Sequence, residues 1–184
     1  MIMKRPVLIA VLFSSTLIGS MSVNANVPND CWLEAGQMYG VDPVLLMAIA
    51  WKESRGHIHS VGPALRDGNR ALGLMQINTI HMPLLRRHGI RREDLFDPCV
   101  SKKIGAYVLA DCLSKFETSW HAVGCYYGGP RSRAYTAMRN YERDVKRYYQ
   151  GYLSFIQSNQ YFQNSHLYQM LPQFGAALKW SNSP

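Results

Sequence analysis

Residues 42–56 read DPVLLMAIAWKESRG, and no other stretch constrains the fold as tightly. Asp42 can cap a helix, Pro43 suits its first position, and Gly56 suits its end. Leu45–Trp51 is apolar, yet Glu53 follows on the same side, because the positions three, four and seven before it are Ala50, Ile49 and Leu46. A buried carboxylate costs several kcal/mol unless it is paired or keeps its proton. The last turn of a helix adds to that cost, since the dipole disfavours negative charge there. Both effects raise the pKa. A carboxyl protonated near neutrality is what a general acid needs, and such catalysis contributes roughly 10²–10⁴-fold. The alternative is a frayed end at which Lys52 or Arg55 pairs with Glu53.

Residues 1–25 have the form of a secretory signal peptide: Lys4 and Arg5, an apolar stretch over Val7–Ile18, and the small-residue cleavage signal Val23-Asn24-Ala25. That stretch is short for a retained membrane anchor, and no later segment is long and apolar enough to span a bilayer. An exported single domain over 26–157 is therefore expected, followed by a tail. The chain carries a net charge of +8, of which Lys4 and Arg5 supply two. A basic balance suits an anionic partner, and export argues against nucleic acid.

Helical signals dominate the rest. Asp30 can cap a helix over 31–39 ended by Gly40, and further helices are expected at about 80–88, 98–116, 119–127 and 132–157. Residues 57–72 read as a polar loop, followed by the short apolar piece Leu72–Ile77. On the longest helix Tyr135, Met138, Tyr141, Val145, Tyr148, Tyr149, Tyr152 and Phe155 form an aromatic stripe expected to face the core. Residues 158–184 hold one charged residue, Lys179, and are expected to form a flexible tail.

The four cysteines of an exported chain predict two disulfides. Cys99 and Cys112 share the helix that Asp97-Pro98 opens, about 20 Å apart at 1.5 Å per residue, so they cannot pair with each other. That leaves Cys31–Cys99 with Cys112–Cys125, the preferred pairing, or Cys31–Cys112 with Cys99–Cys125. With no CxxC, no HExxH and scattered histidines (His57, His59, His81, His88, His121), neither a metal site nor a cofactor is expected.

Glu53-Ser54, then GLMQIN at Gly73–Asn78, then WHAVGCYYGG at Trp120–Gly129 resemble the lytic transglycosylases with a lysozyme-like fold. Cys31-Trp32, Arg66-Asp67-Gly68 and Asp97-Pro98-Cys99 extend the likeness to the small exported members that serve secretion, conjugation or pilus machines. The resemblance covers roughly residues 30–150 in the right order. It implies a mainly α, α+β lysozyme-like domain with a small irregular or β segment lining a glycan cleft. It also implies a reaction. Glu53 protonates the glycosidic oxygen between N-acetylmuramic acid and N-acetylglucosamine in peptidoglycan, then acts as base while the sugar's own 6-hydroxyl closes a 1,6-anhydro ring. Substrate contacts carry over to Ser54, Met75, Gln76, Asn78 and Tyr126, with packing an equal reading for Met75. The expected partners are glycan strands and components of an envelope-spanning apparatus, in the periplasm, with the protein a monomer.

Two departures from the family's pattern matter. Ala71 stands where relatives often carry Asp, so a second carboxylate is lost or its part passes to Asp67. Cys125-Tyr126-Tyr127-Gly128 stands where relatives have Ala-Tyr-Asn-Ala, which puts the usual asparagine's role in doubt. The rival readings are a lysozyme-type muramidase and a non-catalytic wall-binding subunit of an assembly.

Overall fold

A computed structural model describes residues 31–116 and 119–174. The leader, the Asp30 cap and residues 175–184 lie outside the described residues. Helix α1 (Cys31–Tyr39) leads into α2 (Pro43–Ser54), which Asp42 caps by accepting the Val44 N–H at 2.8 Å. The second Asp42 oxygen accepts the Tyr149 hydroxyl at 2.6 Å, so this deeply buried carboxyl is satisfied on both sides. Val44, Leu45, Leu46, Ala48 and Ile49 are all sealed from solvent, which makes α2 the spine of the core. Each Leu or Ile buried this way contributes about 1.5–3 kcal/mol relative to exposure.

Strands β1 (Ala71–Leu72) and β2 (Ile77–Asn78) pair antiparallel, with Leu72 opposite Ile77 and Val61 bridging to Leu72. The turn between them needs Gly73: its φ is 76°, and a Cβ there would stand 2.0 Å from the Leu95 carbonyl oxygen. Asn78 then caps a 3₁₀ turn over Thr79–His81, and α3 occupies only Met82–Arg87, shorter than the pattern predicts. Asp97 opens α4 (Pro98–Leu113) by accepting the Val100 N–H at 2.8 Å. Helix α5 (Ser119–Gly128) follows, and α6 spans Tyr135–Ser158, starting at the first residue of its aromatic stripe and three residues later than the expected start at Ser132. Both disulfides adopt the preferred pairing: Cys31–Cys99 joins α1 to α4 and Cys112–Cys125 joins α4 to α5, with Cα atoms 5.3 and 5.8 Å apart.

The stripe on α6 faces the core only in its middle. Met138, Tyr141, Val145 and Tyr149 are buried, whereas Tyr135 and Phe155 at its ends are exposed. The expected tail also differs. Residues 160–163 and 166–170 form α7 (Gln160–Gln163) and α8 (His166–Met170), followed by a 3₁₀ turn over Leu171–Phe174. Leu167 and Leu171 join the core, which ties this uncharged segment to the domain. Among the described residues, no helix is long and apolar enough to cross a membrane.

Candidate active site

Glu53 occupies the last turn of α2, and Leu46, Ile49 and Ala50 beneath it are buried. The helix ends one residue before Gly56, because Arg55 itself takes the left-handed conformation, φ 55°, and donates its N–H to the Trp51 carbonyl. Arg55 and Gln76, φ 48°, are the described non-glycine residues with positive φ, and both adjoin this site.

The two cations beside Glu53 are committed elsewhere. Lys52 pairs with Asp144 at 2.7 Å, and the Arg55 guanidinium lies over the rings of Trp51 and Tyr148, 5.7 and 5.0 Å from their centroids. The frayed, ion-paired end is therefore not what forms. Glu53 instead accepts a hydrogen bond at Oε1 from the Tyr141 hydroxyl at 2.5 Å. Burial lifts its pKa to about 7, against the opposing pull of the Tyr141 hydrogen bond and the Lys52 charge. The other oxygen, Oε2, receives no hydrogen bond from the described residues, and the side chain keeps partial exposure. A proton on Oε2 can therefore be given away.

The loop beneath Glu53 is pinned from two sides. Ser54, buried, donates its hydroxyl to the Leu74 carbonyl at 2.7 Å, with the Ala50 carbonyl at 3.2 Å. Tyr126 donates to the Met75 carbonyl at 2.8 Å. The Met75 N–H in turn reaches Ser101 Oγ at 3.1 Å. Gln76 donates its amide to the carbonyls of Ser60 and Gly73, at 3.1 and 2.9 Å. Burial pushes the phenol pKa values of Tyr126 and Tyr141 up, and the charge of Glu53 adds to the shift in both, which places those rings around the acid.

Glu53, Ser54, Gln76 and Tyr126 thus gather at one locus. Met75 joins through its backbone: its side chain is fully buried and packs on Gly105, so it faces the core rather than a groove. Asn78 spends its side-chain oxygen on the Ile80 N–H at 2.9 Å and is committed to local structure. Asp67 accepts both the N–H and the side-chain amide of Asn69, at 3.0 and 2.8 Å, and those bonds hold its carboxyl below the usual range. It organises an exposed turn, and Ala71 in β1 offers no charge in its place.

Sequence reasoning missed Tyr141 and Tyr127. Tyr127 stacks on the Tyr141 ring, centroids 5.1 Å apart and planes at 26°, where the asparagine of the family pattern would stand. Tyr141 carried a signal only as one member of a core stripe, and its hydroxyl's destination lies 88 residues away in the chain.

Residues 30–149 match the family described as the transglycosylase SLT domain. The chain belongs to the SLT transglycosylase family. Invasion protein IagB of Salmonella typhimurium is 39% identical over 117 residues, which cover 63% of this chain and 72% of that protein. X polypeptide of Escherichia coli K12 is 42% identical over 127 residues, covering 66% and 73%. Protein IpgF of Shigella flexneri is 36% identical over 121 residues, covering 65% and 79%. Among solved structures, an inactive Glu-to-Gln mutant of the lytic transglycosylase Slt from Pseudomonas aeruginosa superposes with a TM-score of 0.57 at 21% identity. It covers 71% of this chain, which spans 24% of that protein's length, and at that identity the likeness shows the fold. The mainly helical, lysozyme-like architecture with its small β segment is the one that the resemblance to lytic transglycosylases implies. As an SLT domain, this chain is a peptidoglycan lytic transglycosylase.

Proposed function

We propose that this SLT transglycosylase cuts the β-1,4 bond between N-acetylmuramic acid and N-acetylglucosamine with Glu53 as its single acid–base group, releasing 1,6-anhydro ends. The observation that carries the proposal is a buried carboxyl whose pKa is lifted to about 7, with one oxygen held by Tyr141 and the other without a donor among the described residues. Near neutrality a large share of such a group is protonated and can give its hydrogen to the glycosidic oxygen. The resulting carboxylate is stabilised by the Tyr141 hydroxyl and can then accept the proton of the sugar's 6-hydroxyl as that oxygen attacks the anomeric carbon. One carboxyl performing both steps fits a site in which Asp67 is tied to Asn69 and Ala71 is neutral. A glycosidase working through two carboxylates would require a partner for Glu53.

The finer assignment places the enzyme in the periplasm, where it opens the wall locally for an envelope-spanning secretion, conjugation or pilus apparatus. The leader-like residues 1–25 support export, and the likeness to an invasion protein of Salmonella typhimurium fits service to such a machine. Ser54 and Tyr126 orient the loop that carries Gln76, whose partly exposed side chain is the polar group best placed to meet a glycan.

The test is digestion of purified sacculi followed by mass measurement of the released muropeptides. Anhydro products support the proposal, and products heavier by one water would assign a muramidase. In parallel, Glu53→Gln is expected to bind sacculi without clearing them. Equal clearing by mutant and parent would leave Glu53 with no catalytic role, and binding without clearing by the parent itself would leave a wall-binding subunit.

A further inference from the structure

A second cavity, of about 400 Å³, opens between α5, the loop 129–134 and the first two turns of α6. Its volume falls within the range of sites that hold small ligands. Arg131, Arg133, Arg139 and Tyr135 form its walls, and Phe116 and Met138 give it an apolar side. Glu53, Ser54, Gln76 and Tyr126 do not line it. One further lining group is accounted for within the fold. Glu142 has its Oε1 against Gly124 of α5, so close that a Cβ there would stand 2.2 Å away, and it feels the charges of His121 and Arg139. Arg131 and Arg133 form no ion pair among the described residues and are exposed.

Three guanidinium groups therefore converge on a concave surface that contains one carboxyl. Structural ion pairing does not account for Arg131 and Arg133, and a general need for surface charge does not call for a concavity. Guanidinium forks match carboxylates in a bidentate fashion, and an apolar wall suits a small aliphatic side chain. We propose that this cavity binds the carboxylates of a short acidic peptide, of the kind that peptidoglycan carries as stems on its glycan strands. The inference rests on the proposed function for its choice of peptide. Met138 and Glu142 line the cavity from positions three before and one after Tyr141 on α6, the residue that holds Glu53. Peptide-bearing strands would then be favoured over bare ones.

The experiment has a binding arm and a cutting arm. In the first, a synthetic stem tripeptide with free carboxylates is titrated into the protein, beside the same peptide with its carboxylates amidated and beside sodium acetate. Saturable binding of the free-acid peptide is expected, at least about tenfold tighter than the amidated form, and weakened about tenfold by Arg131→Gln with Arg133→Gln. Equal binding of acid and amide forms, or acetate competing as well as the peptide, overturns the proposal. The amidated control needs no variant, so misfolding cannot mimic the result. In the second arm, the ratio of cutting on peptide-bearing strands to cutting on amidase-stripped strands is expected to fall about tenfold in the double variant. An unchanged ratio contradicts the inference. A parent protein that cuts neither polymer would remove the glycan-cleaving reading, while the titration still decides the cavity.

Discussion

Tyr141, in the middle of α6, donates its hydroxyl to Glu53 Oε1 across 88 residues of chain, at 2.5 Å. This bond ties the catalytic helix to the helix that covers it, and it bears on both protonation states. It favours the carboxylate, so it opposes the burial that raises the Glu53 pKa. Burial wins. The balance leaves the group titrating close to neutrality, where it can serve in turn as acid and as base.

Removing the hydroxyl shifts that balance in a known direction. In Tyr141→Phe the ring and its stacking on Tyr127 remain, and only the bond that lowers the Glu53 pKa is lost. The acid should then titrate above its present value of about 7. The pH profile of sacculus solubilisation is expected to move to higher pH, with a rate at neutrality reduced about ten- to a hundredfold as the carboxylate loses its stabiliser.

Glu53 also imposes a cost on the fold that depends on pH. Its folded pKa of about 7 lies above the ordinary 4.5, so the native state holds more protons than the unfolded chain between those values. Stability therefore falls as pH rises through that window, by up to about 3 kcal/mol and less to the extent that solvent reaches the group. Glu53→Gln is expected to melt several degrees above the parent at pH 8 and close to it at pH 4. Thermal unfolding at the two pH values measures this.

Asp42 does two jobs at the start of the catalytic helix, capping Val44 N–H and accepting from Tyr149. Asp42→Ala removes the cap and the buried carboxylate that accepts the Tyr149 hydroxyl, at a cost of about 2–4 kcal/mol. Urea denaturation is expected to show that loss, and Tyr149→Phe should cost less because it leaves the cap in place.

The two disulfides close loops of different size, with sequence separations of 68 and 13. On chain-entropy grounds the first contributes about 4 kcal/mol and the second about 3 kcal/mol. Replacing both members of Cys31–Cys99 by Ser should therefore lower the urea midpoint more than replacing Cys112–Cys125. The shorter bridge anchors α5 next to Tyr126, so its removal is expected to affect activity more than its share of stability implies.

What could be read from the residues was local. Asp42-Pro43 and Asp97-Pro98 mark helix starts because a cap and its proline lie side by side in the chain. The buried side of α2 showed in the three- and four-residue spacing behind Glu53. Other features escaped because they are settled across the chain. Nothing adjacent to Tyr141 says that its hydroxyl meets Glu53, and nothing near Met75 says that Gly105 opens a slot for its side chain. The short helices within 160–174 carry little signal in composition, since the apolar residues that reach the core, Leu167 and Leu171, are diluted by Gln, Asn and Ser. Arg55 ended α2 where Gly56 was expected, because a left-handed arginine is tolerated when its guanidinium gains two aromatic faces.

The account depends most on the protonation of Glu53 in the folded protein, and a carbon-13 titration of its carboxyl measures that without substrate. A midpoint near 7 is expected, moving upward in Tyr141→Phe. A midpoint near the ordinary 4.5, unaffected by Tyr141→Phe, would contradict the account.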